Sequence, residues 1–185
     1  MPFAFDNNKQ AYAKYSEAEL TLSYPRDWTV GGVKELSLWF IGSPASVGSF
    51  TEAPVGTYTM TATGADIYGI ADEFHYAFKT LSGVGTIEAQ VLSIDDTDPW
   101  AKAGVMIREK WAPYSRYAAV FITPGQGVTF QWRDVEDGPT INITKPGVSA
   151  PQYVRLVRNI DSTFEAKHSE TGLVWEDVNA PGSAP

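Results

Sequence analysis

The sequence contains no cysteine and only two histidines, and charged residues fill 19% of its 185 positions. Without thiols there is no disulfide framework, no Cys-ligated zinc and no thiol nucleophile. The cellular compartment stays open on that ground. His75 and His168 fall in separate predicted strands, outside any spaced His/Asp/Glu pattern of the kind catalytic zinc needs. Cations are scarce too: 14 Lys and Arg face 22 Asp and Glu, a formal charge of −8. Because a phosphate-reading surface needs clustered Lys and Arg, this balance disfavours nucleic acid and anionic membranes as partners and suits a neutral, polyhydroxylated ligand. No apolar run approaches the roughly 18 residues of a membrane span. Met1 to Ala11 lacks the basic start and apolar stretch of a signal peptide, so an export signal is expected outside this chain. The serines form no Gly-x-Ser-x-Gly elbow, and no phosphate-cradling Gly-x-x-x-x-Gly-Lys loop occurs.

What is abundant points the other way. Aromatics reach 13%, with 16 Gly and 12 Pro to punctuate the chain, a composition suited to many short strands and tight turns. Alternating runs predict strands at Tyr58–Thr63, Glu73–Thr80, Gly85–Ile94, Ala101–Glu109, Ser115–Thr123, Val128–Val135, Thr140–Ile143, Gln152–Arg158, Thr163–Ser169 and Leu173–Val178. Ile87, Ala89 and Val91 share one face, Val128, Phe130 and Trp132 another, and Val154 and Leu156 continue toward Arg158 in the same manner. Pro124–Gly127 and Asp137–Pro139 supply turn chemistry. The expected fold is all-β, a two-sheet antiparallel sandwich.

Residues 1–44 read as an N-terminal segment of two strands, Ala18–Ser23 and Glu35–Ile41, around a loop with Pro25–Trp28 and Gly31–Gly32. Two strands alone are marginal in water, so they are expected to dock on the main sheet. Residues 45–55 have a linker's small, polar composition, and residues 56–185 form the sandwich domain.

From Gly56 onward the chain resembles a bacterial domain family of the concanavalin A-like lectin/glucanase superfamily, related to regulation-of-enolase-protein-like members with a LamG-like jelly roll. The residues that carry the resemblance are Ala65–Gly69, Asp72–Tyr76, the block Trp100-Ala101-Lys102-Ala103-Gly104-Val105-Met106-Ile107-Arg108-Glu109, Thr123–Gly125 and Gly127–Gln131. The resemblance implies a concanavalin A-like jelly roll and a non-catalytic carbohydrate-binding module of an exported bacterial protein, at the cell surface or outside the cell. Such domains continue past the strand containing Trp175, whereas this chain ends in a Pro/Gly/Ala/Ser tail. The N-terminal strands are expected to fill the vacancy.

Sugar-binding sandwiches offer aromatic platforms to pyranose C–H faces and planar polar groups to paired hydroxyls. Trp100, Trp111, Tyr114 and Trp132 are the candidate platforms, with Arg108, Glu109, Gln131 and Arg133 as the polar ring. Core burial competes with this role at Trp100, which follows Pro99 at a strand start, and at Trp132, which alternates with Val128 and Phe130. An ion pair competes at Arg108 and Glu109. No cofactor is required, but Asp95, Asp96 and Asp98 form a candidate structural calcium site in which hard cations take loop oxygens, and Asp66 with Asp72 form a second. The superfamily's glucanases carry paired carboxylates in a Glu-x-Asp-x-Glu-like run. That run is absent, and Asp134 with Glu136, beside a turn, is the nearest pair. A polysaccharide or glycan partner is therefore expected, with a ligand-free structural or adhesive module as the first alternative and a glycan-cleaving enzyme as the second.

Overall fold

The computed structural model describes three N-terminal strands, β1 (Phe3–Asp6), β2 (Ser16–Thr21) and β3 (Leu38–Ile41), together with residues 48–178. The expected loop at Pro25–Trp28 and Gly31–Gly32, the first part of the expected linker and the C-terminal tail lie outside the described residues. The remaining strands are β4 (Ser49–Glu52), β5 (Thr57–Ala62), β6 (Asp66–Tyr68), β7 (Ala71–Ala77), β8 (Gly85–Ile94), β9 (Lys102–Arg108), β10 (Tyr117–Thr123), β11 (Gly127–Arg133), β12 (Ile141–Lys145), β13 (Gln152–Arg158), β14 (Phe164–Ser169) and β15 (Glu176–Asp177). No helix occurs among the described residues, and so none long and apolar enough to cross a membrane.

Two sheets carry the fold. Sheet A runs β12-β11-β10-β9-β1-β7-β3 with β6 added to β7, and sheet B runs β15-β14-β13-β8-β2-β5-β4. Every pairing among the described strands is antiparallel. The N-terminal strands enter the interior of both sheets: β1 lies between β9 and β7, and β2 between β8 and β5. Each thereby gives ladder partners to two strands that would otherwise present open edges. Ser49–Glu52, inside the stretch with linker composition, is itself a strand on β5.

The alternation in β8, β11 and β13 has its cause in face-to-face packing. Ile87, Ala89, Val91, Val154, Leu156 and Ala166 of sheet B meet Val105, Val120, Ile122, Val128, Phe130 and Trp132 of sheet A in one apolar layer. A second layer forms on the outer face of sheet A, where Phe74, Tyr76, Met106, Tyr117, Ala119 and Phe121 pack with Ile67 of β6. Strands β10 and β11 are therefore buried on both faces along their whole length. Thr129, Gln131 and Arg133 do alternate with the apolar row, but they are buried rather than solvated.

Leu173–Val178 departs from expectation, because only Glu176–Asp177 pairs with β14. The Ser169 hydroxyl accepts the amides of Thr171 and Gly172 and turns the chain out of the sheet at Gly172, whose φ is 74°. Trp175 then lies over the outer face of sheet B, 3.7 Å from the Arg155 guanidinium.

Close backbone approach fixes one residue of the central ladder. A Cβ on Gly104 of β9 would stand 2.1 Å from the Val120 carbonyl oxygen and 2.9 Å from the Phe121 Cα on β10. Overpacking of a rigid site costs about 1–3 kcal/mol. Gly104→Ala is expected to lower the unfolding free energy by that amount in a denaturant titration, and an unchanged midpoint would contradict the register.

At the other edge the two sheets are laced together. Lys145 of β12 reaches Glu176 of β15 at 2.5 Å and the His168 ring of β14 at 3.0 Å, while Gln152 meets the other ring nitrogen at 2.8 Å. Burial, and then the Lys145 ammonium, hold the His168 imidazole below its usual 6.5 against the pull of Glu176 and Glu170. Burial also lowers His75. An imidazole with a depressed folded-state pKa is protonated first in the unfolded chain, so stability falls as pH drops through 6.5 toward the folded-state value. Chemical denaturation between pH 7.5 and 5.5 should show that decline. His168→Gln should make it shallower, and an equal slope in the variant would exclude His168 as a source.

Candidate functional site

Extending the inward-facing rows of β9, β10 and β11 one step past their strand ends, and following that of β13 to its last residue, produces a polar rim. Ile107 of β9 leads to Glu109, Ala118 of β10 is preceded by Arg116, Trp132 of β11 leads to Asp134, and Leu156 of β13 leads to Arg158. The cross-strand register puts Ala118 opposite both Ile107 and Trp132, so Glu109, Arg116 and Asp134 follow in one row across sheet A. Arg158 stands opposite on sheet B, beside Asp161 and Ser162 of the β13–β14 turn. Between the two sheet ends opens a cleft of ≈ 910 Å³, floored by Ile107, Ala118, Trp132 and Phe164 and walled by Phe78 and Trp111.

The wall is a run of aromatic contacts. Tyr76 stacks on Phe78 at 5.6 Å, and Phe78 meets Trp111 at 5.4 Å with a 46° tilt. Trp111 keeps 51% of its surface exposed. On the rim, Arg116 grips Glu109 through two hydrogen bonds of 2.9 and 3.2 Å, and these hold the Glu109 carboxyl below its ordinary range. The Asp161 carboxyl is lowered by the hydroxyl and amide of Thr163. Arg158 donates to the Gly83 carbonyl at 3.2 Å, and among the described residues no carboxylate pairs with it. Asp134 likewise has no cation partner among them. Chemically, the cleft offers an apolar aromatic floor with a planar donor and planar carboxylate acceptors at its lip, and both signs of charge are represented.

Behind the wall lies a buried ion cluster. Asp72, at the start of β7, has a fully buried carboxylate that accepts Arg133 through both oxygens, at 2.7 and 2.9 Å, and Arg108 at 2.7 Å. The spare donors of the two guanidiniums fasten three loops. Arg133 bonds the carbonyls of Gly69, Pro113, Ser115 and Gly138, and Arg108 those of Lys110, Ala112 and Pro113. Both stack near the Tyr117 ring, at 5.8 Å for Arg108 and 5.1 Å for Arg133.

The structure distributes the sequence-derived candidates unevenly. Trp111, Trp132, Glu109, Arg108 and Arg133 all border the cleft, but the donors of Arg108 and Arg133 are directed into the protein, at Asp72 and loop carbonyls. Gln131 is buried, with its amide on the Ile67 carbonyl and the Tyr117 hydroxyl. Tyr114 is exposed on the 109–116 loop, outside the cleft lining. Trp100 precedes the opposite end of β9, about 20 Å away at the ~3.3 Å rise of a strand, half-buried with the Lys102 ammonium 6.0 Å from its ring. Asp95, Asp96 and Asp98 lie at that same far end. Among the described residues no three His, Asp or Glu side chains are grouped to hold a metal ion. Asp98 instead accepts the Trp100 amide, Asp66 pairs with Lys102 at 2.5 Å, and Asp72 is taken by the two arginines. Glu136 is held by Lys110 at 2.8 Å.

Tyr76, Phe78, Arg116, Arg158 and Phe164 were not among the candidates. The signal for Arg158 and Arg116 was present, since each continues an inward row. Phe78 and Trp111 meet only because separate strand ends converge, which no local pattern encodes.

No protein-family model matches the chain, and no curated protein or solved structure shows significant similarity to it.

Removing one partner of a buried ion cluster strands the others without water. Asp72→Asn is expected to cost about 3–5 kcal/mol in urea unfolding, whereas Glu109→Gln, which breaks an exposed pair, should leave the midpoint close to wild type. Equal effects of the two would contradict the assigned burial.

Proposed function

We propose that this chain is a glycan-binding domain that holds its ligand, without turnover, in the cleft between the sheet ends. More particularly, we read it as a concanavalin A-like jelly roll serving an exported bacterial protein as a module for polysaccharide or surface glycan. The observation that carries the reading is the pairing of an exposed indole, Trp111 on Phe78, with two planar polar groups, Arg158 and Asp134, that have no ion-pair partner among the described residues, at one cleft mouth. Pyranose rings need that combination: an apolar plate for their C–H face, and donors and acceptors matched to adjacent hydroxyls. The acidic chain with both charge signs at the lip suits a ligand that is polar and largely uncharged. Affinity should be modest, because ordering the Trp111 and Arg158 side chains offsets part of the contact energy.

Titration calorimetry against a panel of soluble polysaccharides tests this. Trp111→Ala and Arg158→Ala should each weaken the best binder by about tenfold, equivalent to ~1.4 kcal/mol, with unaltered thermal unfolding. Wild-type affinity in both variants would remove the cleft from the binding site.

A further inference from the structure

Two exposed tyrosines stand just beyond the cleft on loops that the ion cluster holds still. Tyr114, 42% exposed, follows Trp111 by three residues on the 109–116 loop, and Tyr68, 47% exposed, ends β6. Their backbones are neighbours, because the single Arg133 guanidinium bonds the carbonyl of Pro113, next to Tyr114, and the carbonyl of Gly69, next to Tyr68, at 3.1 and 3.0 Å. The Asp72 amide donates to Pro113 at 3.0 Å, the Asp137 amide to Tyr114 at 3.1 Å and the Thr140 amide to Gly69 at 2.9 Å. Loops usually move. These three are knitted to one another and to a buried charge.

Among the described residues neither tyrosine hydroxyl makes a hydrogen bond, and neither ring packs on another aromatic ring. The core therefore does not account for them. Beside them the ion pair of Lys110 and Glu136 is exposed, with half of the lysine side chain and 38% of the glutamate side chain open to solvent. Aromatic faces interleaved with polar groups, fixed in advance, are what a chain of sugar rings recognises at low ordering cost, since a tyrosine has few rotamers to lose.

We infer that the ligand is a polymeric glycan chain that leaves the cleft at Trp111 and continues over Tyr114 and Tyr68, rather than a single terminal sugar held in the cleft alone. This rests on the cleft being a glycan site. Trp111 to Tyr114 spans at most about 10 Å of extended backbone, so the two side chains start from backbone no farther apart than that. Binding then has several subsites, the cleft supplying the first and the tyrosines the outer ones.

Calorimetry with linear cello-, xylo- and manno-oligosaccharides of increasing length, from disaccharide to octasaccharide, tests the inference. In the series that binds, affinity should rise by about tenfold from the shortest to the longest member. The Tyr68→Ala/Tyr114→Ala double variant should reduce the affinity for the longest member to that for the shortest, leave the shortest unchanged and unfold at the wild-type temperature. Length-independent affinity, or a double variant that binds long chains as the wild type does, would overturn the polymer track while the cleft remains a glycan site. Absence of binding by every oligosaccharide and by the polysaccharide panel would instead overturn the glycan reading itself.

Discussion

One buried carboxylate, that of Asp72, organises the end of the molecule where the ligand is proposed to sit. Its two oxygens satisfy Arg108 and Arg133, and those guanidiniums satisfy carbonyls on three loops that would otherwise be loose covers on sheet A. Taking two arginines and an aspartate out of water is expensive, and such clusters are seldom a net source of stability over an apolar core. What this one supplies is position. It lets β10 and β11 be buried on both faces, fixes the 109–116 loop that presents Trp111, and ties the backbone beside Tyr114 to the backbone beside Tyr68 through Arg133.

The cleft is a consequence of the same layering. Where the inner apolar layer runs out, the strands continue for one more inward residue, and those residues are Glu109, Arg116, Asp134 and Arg158. A sandwich-like pair of sheets thus yields an apolar floor with a polar lip without any dedicated insertion. Phe78 and Trp111 add the aromatic wall by packing on each other, and Trp111 still keeps about half of its surface exposed. The proposed glycan site thus lies where the core ends.

The fold was legible where local pattern and burial agree. Ile87, Ala89 and Val91, or Val128, Phe130 and Trp132, alternate because one face meets the other sheet. The pattern misled at Gln131 and Arg133, whose polarity signals solvent in an ordinary half-buried strand. Here a second cover of loops makes them interior hydrogen-bond donors. Ser49–Glu52 reads as linker because its composition is polar, yet it pairs as an edge strand, where polar residues are at home. Trp111 and Glu109 could be picked as candidates from their neighbourhood in the sequence. Arg158 continues the alternating row of Val154 and Leu156, but Phe78 and the role of Asp72 depend on contacts between distant segments, and Asp72 beside a loop looks equally like a cation ligand until its arginine partners are seen.

The central claim is that a glycan occupies the cleft between the sheet ends. Amide chemical-shift mapping of the labelled protein, titrated with the shortest oligosaccharide that binds, addresses it most directly. The account predicts perturbations concentrated at residues 78–81, 107–111, 116, 134 and 158–164, with the Trp111 indole signal among the largest. Shifts confined instead to the outer face of sheet B, around Tyr153, Arg155 and Trp175, would place the ligand elsewhere and contradict it.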